Sequence, residues 1–173
     1  KITAFLVPYG SNDDPVRLFA NKNKSFKGQE IAGKGFTFDD SGDFDNETPG
    51  IPSSINEMKR LLANNTQNAD VIFPLIGGAE VNQSPNQSHH RYVIDFGERS
   101  EEDCRKNWPE LMQIIEKKVK PDRLKLKDTT DFRKLKHRWW VHSRTCPGMK
   151  SAIKNCHRVL VTGADATKFL TFP

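Results

Sequence analysis

The sequence predicts an α+β fold: a mixed or mainly antiparallel sheet with two to four helices packed on it, in a single domain. Three observations lead there. The 173 residues are one to two domains' worth and enough to bury a core. Hydrophobic residues at 35% and charged residues at 28% are the proportions of a globular chain, not of a disordered or fibrous one. Helical and strand-like segments follow one another without the strict alternation of a doubly wound fold, and no internal repeat or low-complexity segment interrupts them. No apolar run approaches the ~18 residues of a membrane span. Lys1-Ile2-Thr3 opens neither with Met nor with a signal-peptide core, so the chain reads as a soluble, excised fragment. Its cysteines, Cys104, Cys146 and Cys156, are odd in number and unpaired in spacing, which predicts a reducing, cytoplasmic setting.

In chain order, residues 2–7 form a β-type run stopped by Pro8-Tyr9-Gly10, and residues 21–24 read as a turn between strands at 18–20 and 26–28. Residues 31–38 read as a strand loosened by Gly33 and Gly35, followed by an acidic loop at 39–52. Ser54 with Glu57 three residues on has capping-box spacing, and Ile55, Met58, Leu61 and Leu62 form the apolar stripe of a helix ending at Asn64-Asn65. Residues 71–78 and 91–97 are two further extended segments. One long helix is predicted over 100–119, with Trp108, Leu111, Met112, Ile115 and Val119 on one face, acids near its start, lysines near its end and Pro121 as its stop. Residues 122–136 read as a basic linker, loop with some helix. Residues 138–144 alternate as a strand, Trp139 and Val141 inward, Arg138, Trp140, His142 and Arg144 outward. A short helix at 149–155 follows Pro147-Gly148, and strands are predicted at 158–162 and 168–172, the last lacking a partner. The domain thus divides into an acidic, β-rich part at 1–70 with one helix and a helix-strand part at 71–173.

Charge is distributed unevenly. Residues 1–116 hold 12 Lys/Arg against 18 Asp/Glu, net −6; residues 117–158 hold 14 against three, net +11. A stretch that basic repels itself unless an anion meets it, which points to nucleic acid, with a solvated lysine-rich face as the plainer reading.

Catalytic chemistry is sparse. Gly28, Gly33 and Gly35 match neither a dinucleotide fingerprint nor a P-loop and read as turn glycines. Cys146, Cys156, His157 and His142 lack zinc-ligand spacing, and Cys104 reads as a core thiol. The acidic run at 39–47 misses the EF-hand order. Asp95, Glu116 and Lys118 have the composition of a metal-dependent nuclease, but Glu116 and Lys118, two apart on a helix, diverge by ~200°.

Six segments in order carry a resemblance: residues 28–38 (GQEIAGKGFTF), 72–82 (IFPLIGGAEVN), 91–97 (RYVIDFG), 119–123 (VKPDR), 139–144 (WWVHSR) and 158–161 (RVLV). Together they resemble the target-recognition region of MmeI-like restriction-modification enzymes and related phage-defence methyltransferases. Those bacterial type II enzymes join an endonuclease, an adenine-specific DNA methyltransferase and one domain that reads the DNA for both. The resemblance implies that residues 1–173 are a target-recognition domain fragment. The fragment would be non-catalytic and without cofactor of its own, in a parent that uses S-adenosylmethionine and Mg2+. Its implied partners are double-stranded DNA and the methyltransferase domain of the same polypeptide, with no membrane. A metal-dependent nuclease and a basic protein-docking module are the alternatives.

A base-flipping methyltransferase needs a neighbour to grip the flanking duplex. The residues expected at DNA are Lys125, Lys127, Arg133, Lys134, Lys136, Arg138, Trp140, His142, Arg144 and Lys150. The alternative packs Trp140 under a helix and pairs Arg144 with Asp131. Asn82, Gln83, Asn86 and Gln87 carry amides suited to adenine edges and form a candidate base-reading loop, or else a plain polar one. Arg91 reads as a structural partner of Asp95 sooner than as a phosphate contact.

Overall fold

The computed structural model describes residues 23–31 and 33–161. The strands expected at 2–7, 18–20 and 168–172 lie outside them. The fold is α+β in one domain: a three-stranded antiparallel sheet, ordered β1-β3-β2, with seven α-helices among the described residues. β1 (Thr37–Phe38) and β2 (Ile72–Leu75) flank the central β3 (Arg91–Ile94), with Val93 opposite both Thr37 and Phe73. Because β1 and β3 lie on either side of residue 70, the two parts read from composition share one sheet. The two sheet edges differ. Ser53 bridges β1 through Ser53 N–H to Thr37 and Asp39 N–H to Ser53. On the other edge Asp95 N–H donates to Val71, and the alternation from there turns position 74 outward, where proline has no N–H to leave unpaired.

α1 (Ile55–Asn64) begins where the cap chemistry dictates: the Ser54 hydroxyl accepts from Glu57 N–H at 3.1 Å, and Met58 and Leu61 are buried. The helix expected over 100–119 is two helices, α3 (Glu101–Asn107) and α4 (Pro109–Lys118). Proline at 109 excludes Trp108 from helical geometry, and Trp108 sits at φ −133°, ψ 57° between them. The apolar face survives the break: Cys104, Trp108, Leu111, Met112, Ile115 and Val119 are all buried. Nor does Pro121 end a helix; it lies in the first turn of α5 (Lys120–Leu124), where its missing N–H costs nothing. The basic linker contributes α6 (Thr130–His137), capped by Thr129, and α7 (Pro147–Ile153) follows as expected. With α2 (Gly78–Gln83) these make more helices than the two to four predicted.

Four strand expectations fail in whole or in part. Residues 31–38 contain a 3-10 turn, Lys34–Phe36, before β1 begins. Residues 26–28 and the described part of 158–162 have no regular structure, and Val159 and Leu160 are exposed. The fourth is residues 138–144. Arg138 ends α6, Val141 N–H donates back to Arg138, and the turn has no alternating faces: Trp139, Trp140, Val141 and His142 are buried in succession.

The core gathers Phe36, Phe38, Leu61, Ile94, Phe96, Leu111, Met112, Ile115 and the three tryptophans. Gly35 shows how tightly the 3-10 turn meets the end of α4, since a Cβ there would stand 2.6 Å from the Lys118 carbonyl oxygen. Gly35→Ala is expected to destabilise the domain by about 1–3 kcal/mol, the usual cost of overpacking. Urea unfolding measures it, and an unchanged midpoint would mean that the end of α4 can retreat.

Candidate nucleic-acid interface

The basic stretch has three fates in the fold. Lys118 and Arg123 are buried. Lys117, Lys120, Arg138 and Lys150 reach back to acids of the first 116 residues: Lys117 pairs with Glu47, Lys120 with Glu116 at 2.6 Å, Arg138 with Glu98 at 2.9 Å and Lys150 with Asp95 at 2.5 Å. The acidic half of the chain therefore supplies part of the counter-charge that composition alone assigned to an outside polyanion. The remainder faces solvent. Lys125 lies 3.7 Å from Asp122, Arg133 bonds Asp128 at 2.8 Å, and both pairs are exposed. Lys127, Lys134, Lys136, Arg144, Lys154 and Arg158 have no acid partner among the described side chains.

α6 organises the exposed charge. At ~100° per residue, Arg133, Lys134 and His137 fall within one outward arc, while Phe132 and Leu135 fall opposite and are half-buried. Lys127 precedes this helix and Lys136 lies at the edge of the arc. The sequence reading had Arg133, Lys134 and Lys136 but not His137.

The expected face of Arg138, Trp140, His142 and Arg144 is not a face. Trp140 is buried with its indole N–H donating to the Arg99 carbonyl at 3.0 Å, and Trp139 beside it carries the Lys120 ammonium 4.8 Å from its ring centroid. His142 is buried against Phe36, ring centroids 4.3 Å apart, with Nε2 2.9 Å from the Ile94 carbonyl. A carbonyl can only accept, so the proton sits on Nε2. Both side chains belong to the core, and neither is a DNA contact. Only Arg144 is exposed, and Arg138 and Lys150 are part-exposed and paired.

In the loop between α2 and β3, Asn86 and Gln87 are spent on the loop itself. Asn86 Oδ1 accepts from Ser84 and Ser88, and Gln87, at φ 55°, donates to the Val81 carbonyl. Asn82 and Gln83 project from the end of α2, exposed and without a hydrogen-bond partner among the described residues. Behind them Glu80 is fully buried. Burial pushes its carboxyl up, but two bonds from Arg91, at 2.6 and 2.7 Å, and Gly77 N–H hold it down at about 2. Arg91 is thus structural as expected, with Glu80 as its partner in place of Asp95.

The nuclease composition does not assemble. Glu116 is held by Arg105 and Lys120, Asp95 by Lys150 and Gly97 N–H, and Lys118 is buried on the Asp45 carbonyl. Among the described residues no three His, Cys, Asp or Glu side chains gather as metal ligands. Cys104 is buried, which raises its thiol to about 11 and leaves it protonated at neutral pH. No helix among the described residues is long and apolar enough to cross a membrane. Comparison with protein-family models, with curated proteins and with solved structures finds no match.

Burial pushes the His142 imidazole below its ordinary 6.5, reinforced by Arg123 and Lys150 and opposed by the Ile94 bond and Asp95. Between that lowered value and 6.5 the unfolded chain binds a proton that the folded chain refuses, so stability falls as pH drops through 6.5. Urea midpoints should therefore decline between about pH 7.5 and about pH 5.5. His142→Leu, less stable throughout, should decline less over the same interval; an equal decline would place the titration elsewhere.

Proposed function

We propose that the chain binds duplex DNA as the target-recognition part of a single-chain restriction-modification enzyme, an adenine-specific DNA methyltransferase with an endonuclease, in the cytoplasm. The observation that carries this reading is the outward arc of α6, in which Arg133, Lys134 and His137 stand together, with Lys127 just before them. Arg133 and Lys134, neighbours on a rigid helix, suit a phosphate backbone, where neutralised phosphates release counterions and supply affinity without reading sequence. Asn82 and Gln83 are the amides left over for base edges. The order of segments that resembles MmeI-like enzymes supports the same assignment. S-adenosylmethionine and Mg2+ belong, on this reading, to the methyltransferase and endonuclease parts of the parent. Here Asp95 is bonded to Lys150, Glu116 to Arg105 and Lys120, and Lys118 to the Asp45 carbonyl and the Ser53 hydroxyl.

Titration of a labelled duplex across salt concentrations tests the proposal. Affinity should fall linearly on logarithmic axes, and Lys134→Ala should flatten the slope by about 1 and weaken binding similarly for all sequences. Affinity indifferent to salt would remove the DNA reading. The pure chain should neither methylate nor cut DNA when S-adenosylmethionine or Mg2+ is added; product of either kind would return Asp95, Glu116 and Lys118 to consideration.

A further inference from the structure

We propose that Arg138 and Thr145 form a binding site for a DNA backbone phosphate that Glu98 fills from within the chain until the duplex displaces it. The inference rests on the DNA-binding reading and adds an occupant that competes with the ligand. Glu98 follows β3, and its two carboxylate oxygens take different donors: Oε2 accepts from Arg138 Nη2 at 2.9 Å, and Oε1 accepts from the Thr145 hydroxyl. Lys150, held on Asp95, adds its field to Glu98. A guanidinium and a hydroxyl are donors that grip a phosphodiester, and a carboxylate offers them the same pair of anionic oxygens.

Two further observations separate this pair from a structural tie. The Glu98 and Arg138 side chains are 58% and 41% exposed, so a ligand can reach both, and an exposed ion pair is a weak, salt-screened hold. The neighbouring backbone does not need them, because Trp140 and His142 already fasten residues 138–142 to the carbonyls of Arg99 and Ile94. Arg138 is the C-cap of α6, so the site lies at the C-terminal end of the helix that carries Arg133 and Lys134. Once Glu98 leaves, Arg138 is released as a further phosphate contact.

The experiment compares duplex affinity at fixed low salt for the full chain, Glu98→Gln, Glu102→Gln and the double variant Glu98→Gln/Arg138→Ala. Glu102, exposed on α3 and without an ion-pair partner among the described residues, removes the same charge from elsewhere. Glu98→Gln should bind about threefold to tenfold tighter than the parent, the worth of one exposed charge-assisted contact. Glu102→Gln should change affinity far less, and the double variant should lose the gain. A Glu98→Gln gain no larger than that of Glu102→Gln, or one that persists without Arg138, would overturn the site. If the parent and Lys134→Ala follow their expected salt slopes while Glu98→Gln matches Glu102→Gln, only this inference fails. If no variant binds duplex DNA, the functional reading falls with it.

Discussion

A lysine ammonium taken out of water must be resolvated by the protein, and the fold around Lys118 is arranged to do so. The side chain is fully buried, and its Nζ donates to the Asp45 carbonyl and, at 3.0 Å, to the Ser53 hydroxyl. Burial still pulls its proton affinity down, against the fields of Asp45 and Glu47. The groups that serve this charge belong to the acidic loop, so solvating Lys118 also fixes that loop. Gly50 N–H donates to the Lys118 carbonyl, and Gly35 lies against the same carbonyl because it has no side chain. Ser53, held in place there, is the residue that closes the β1 edge. One buried charge thus ties the end of α4, the 3-10 turn before β1 and the sheet margin into a single joint. Removing one partner of such a charge costs far more than an exposed pair returns.

That joint changes what the basic segment means. Read as composition, residues 117–158 are a uniform cationic tract; in the fold, the position along the tract decides the role. Near its start Lys117, Lys118 and Lys120 serve α4 and its loop, and near its end Lys150 serves Asp95. In the middle, α6 stands off the core on Phe132 and Leu135 and presents Arg133 and Lys134 to solvent from a helix, while Arg144, Lys154 and Arg158 are exposed outside helices. The net charge of a segment therefore overstates its surface field whenever the rest of the chain carries the opposite sign.

What was legible in the sequence was what local chemistry decides. Ser54 and Glu57 fix the start of α1 within one turn, and the burial of Trp108, Leu111, Met112, Ile115 and Val119 follows from helical spacing even though Pro109 breaks the helix between them. The misreadings came where a distant partner decides. Trp140 and His142 look amphipathic and exposed by strand alternation, but the Trp140 indole N–H and the His142 Nε2 are bonded to carbonyls 41 and 48 residues away, which draws both rings into the core. The pairing of Arg91 with Glu80 in place of Asp95 is of the same kind, since the turn from α2 into β3 brings Glu80 back beneath the strand. Glu98 and Thr145 carried no motif at all; only the fold puts them together.

The turn after β3 collects most of these distant contacts. The Ile94 and Arg99 carbonyls hold His142 and Trp140, the Asp95 carboxylate holds Lys150, and Glu98 holds Arg138 and Thr145. The contacts differ in exchangeability. The bond between His142 and the Ile94 carbonyl is buried, where water and ions compete little, the bond between Trp140 and the Arg99 carbonyl is part-buried, and Asp95 is itself buried. Glu98 alone of this set meets its partners at the surface, where an outside anion competes on equal terms. A segment whose frame is fixed from beneath and whose outermost ion pair can be traded has a combination suited to recognition. The geometry of the donors is set before the ligand arrives, and the cost of admitting the ligand is confined to one weak pair.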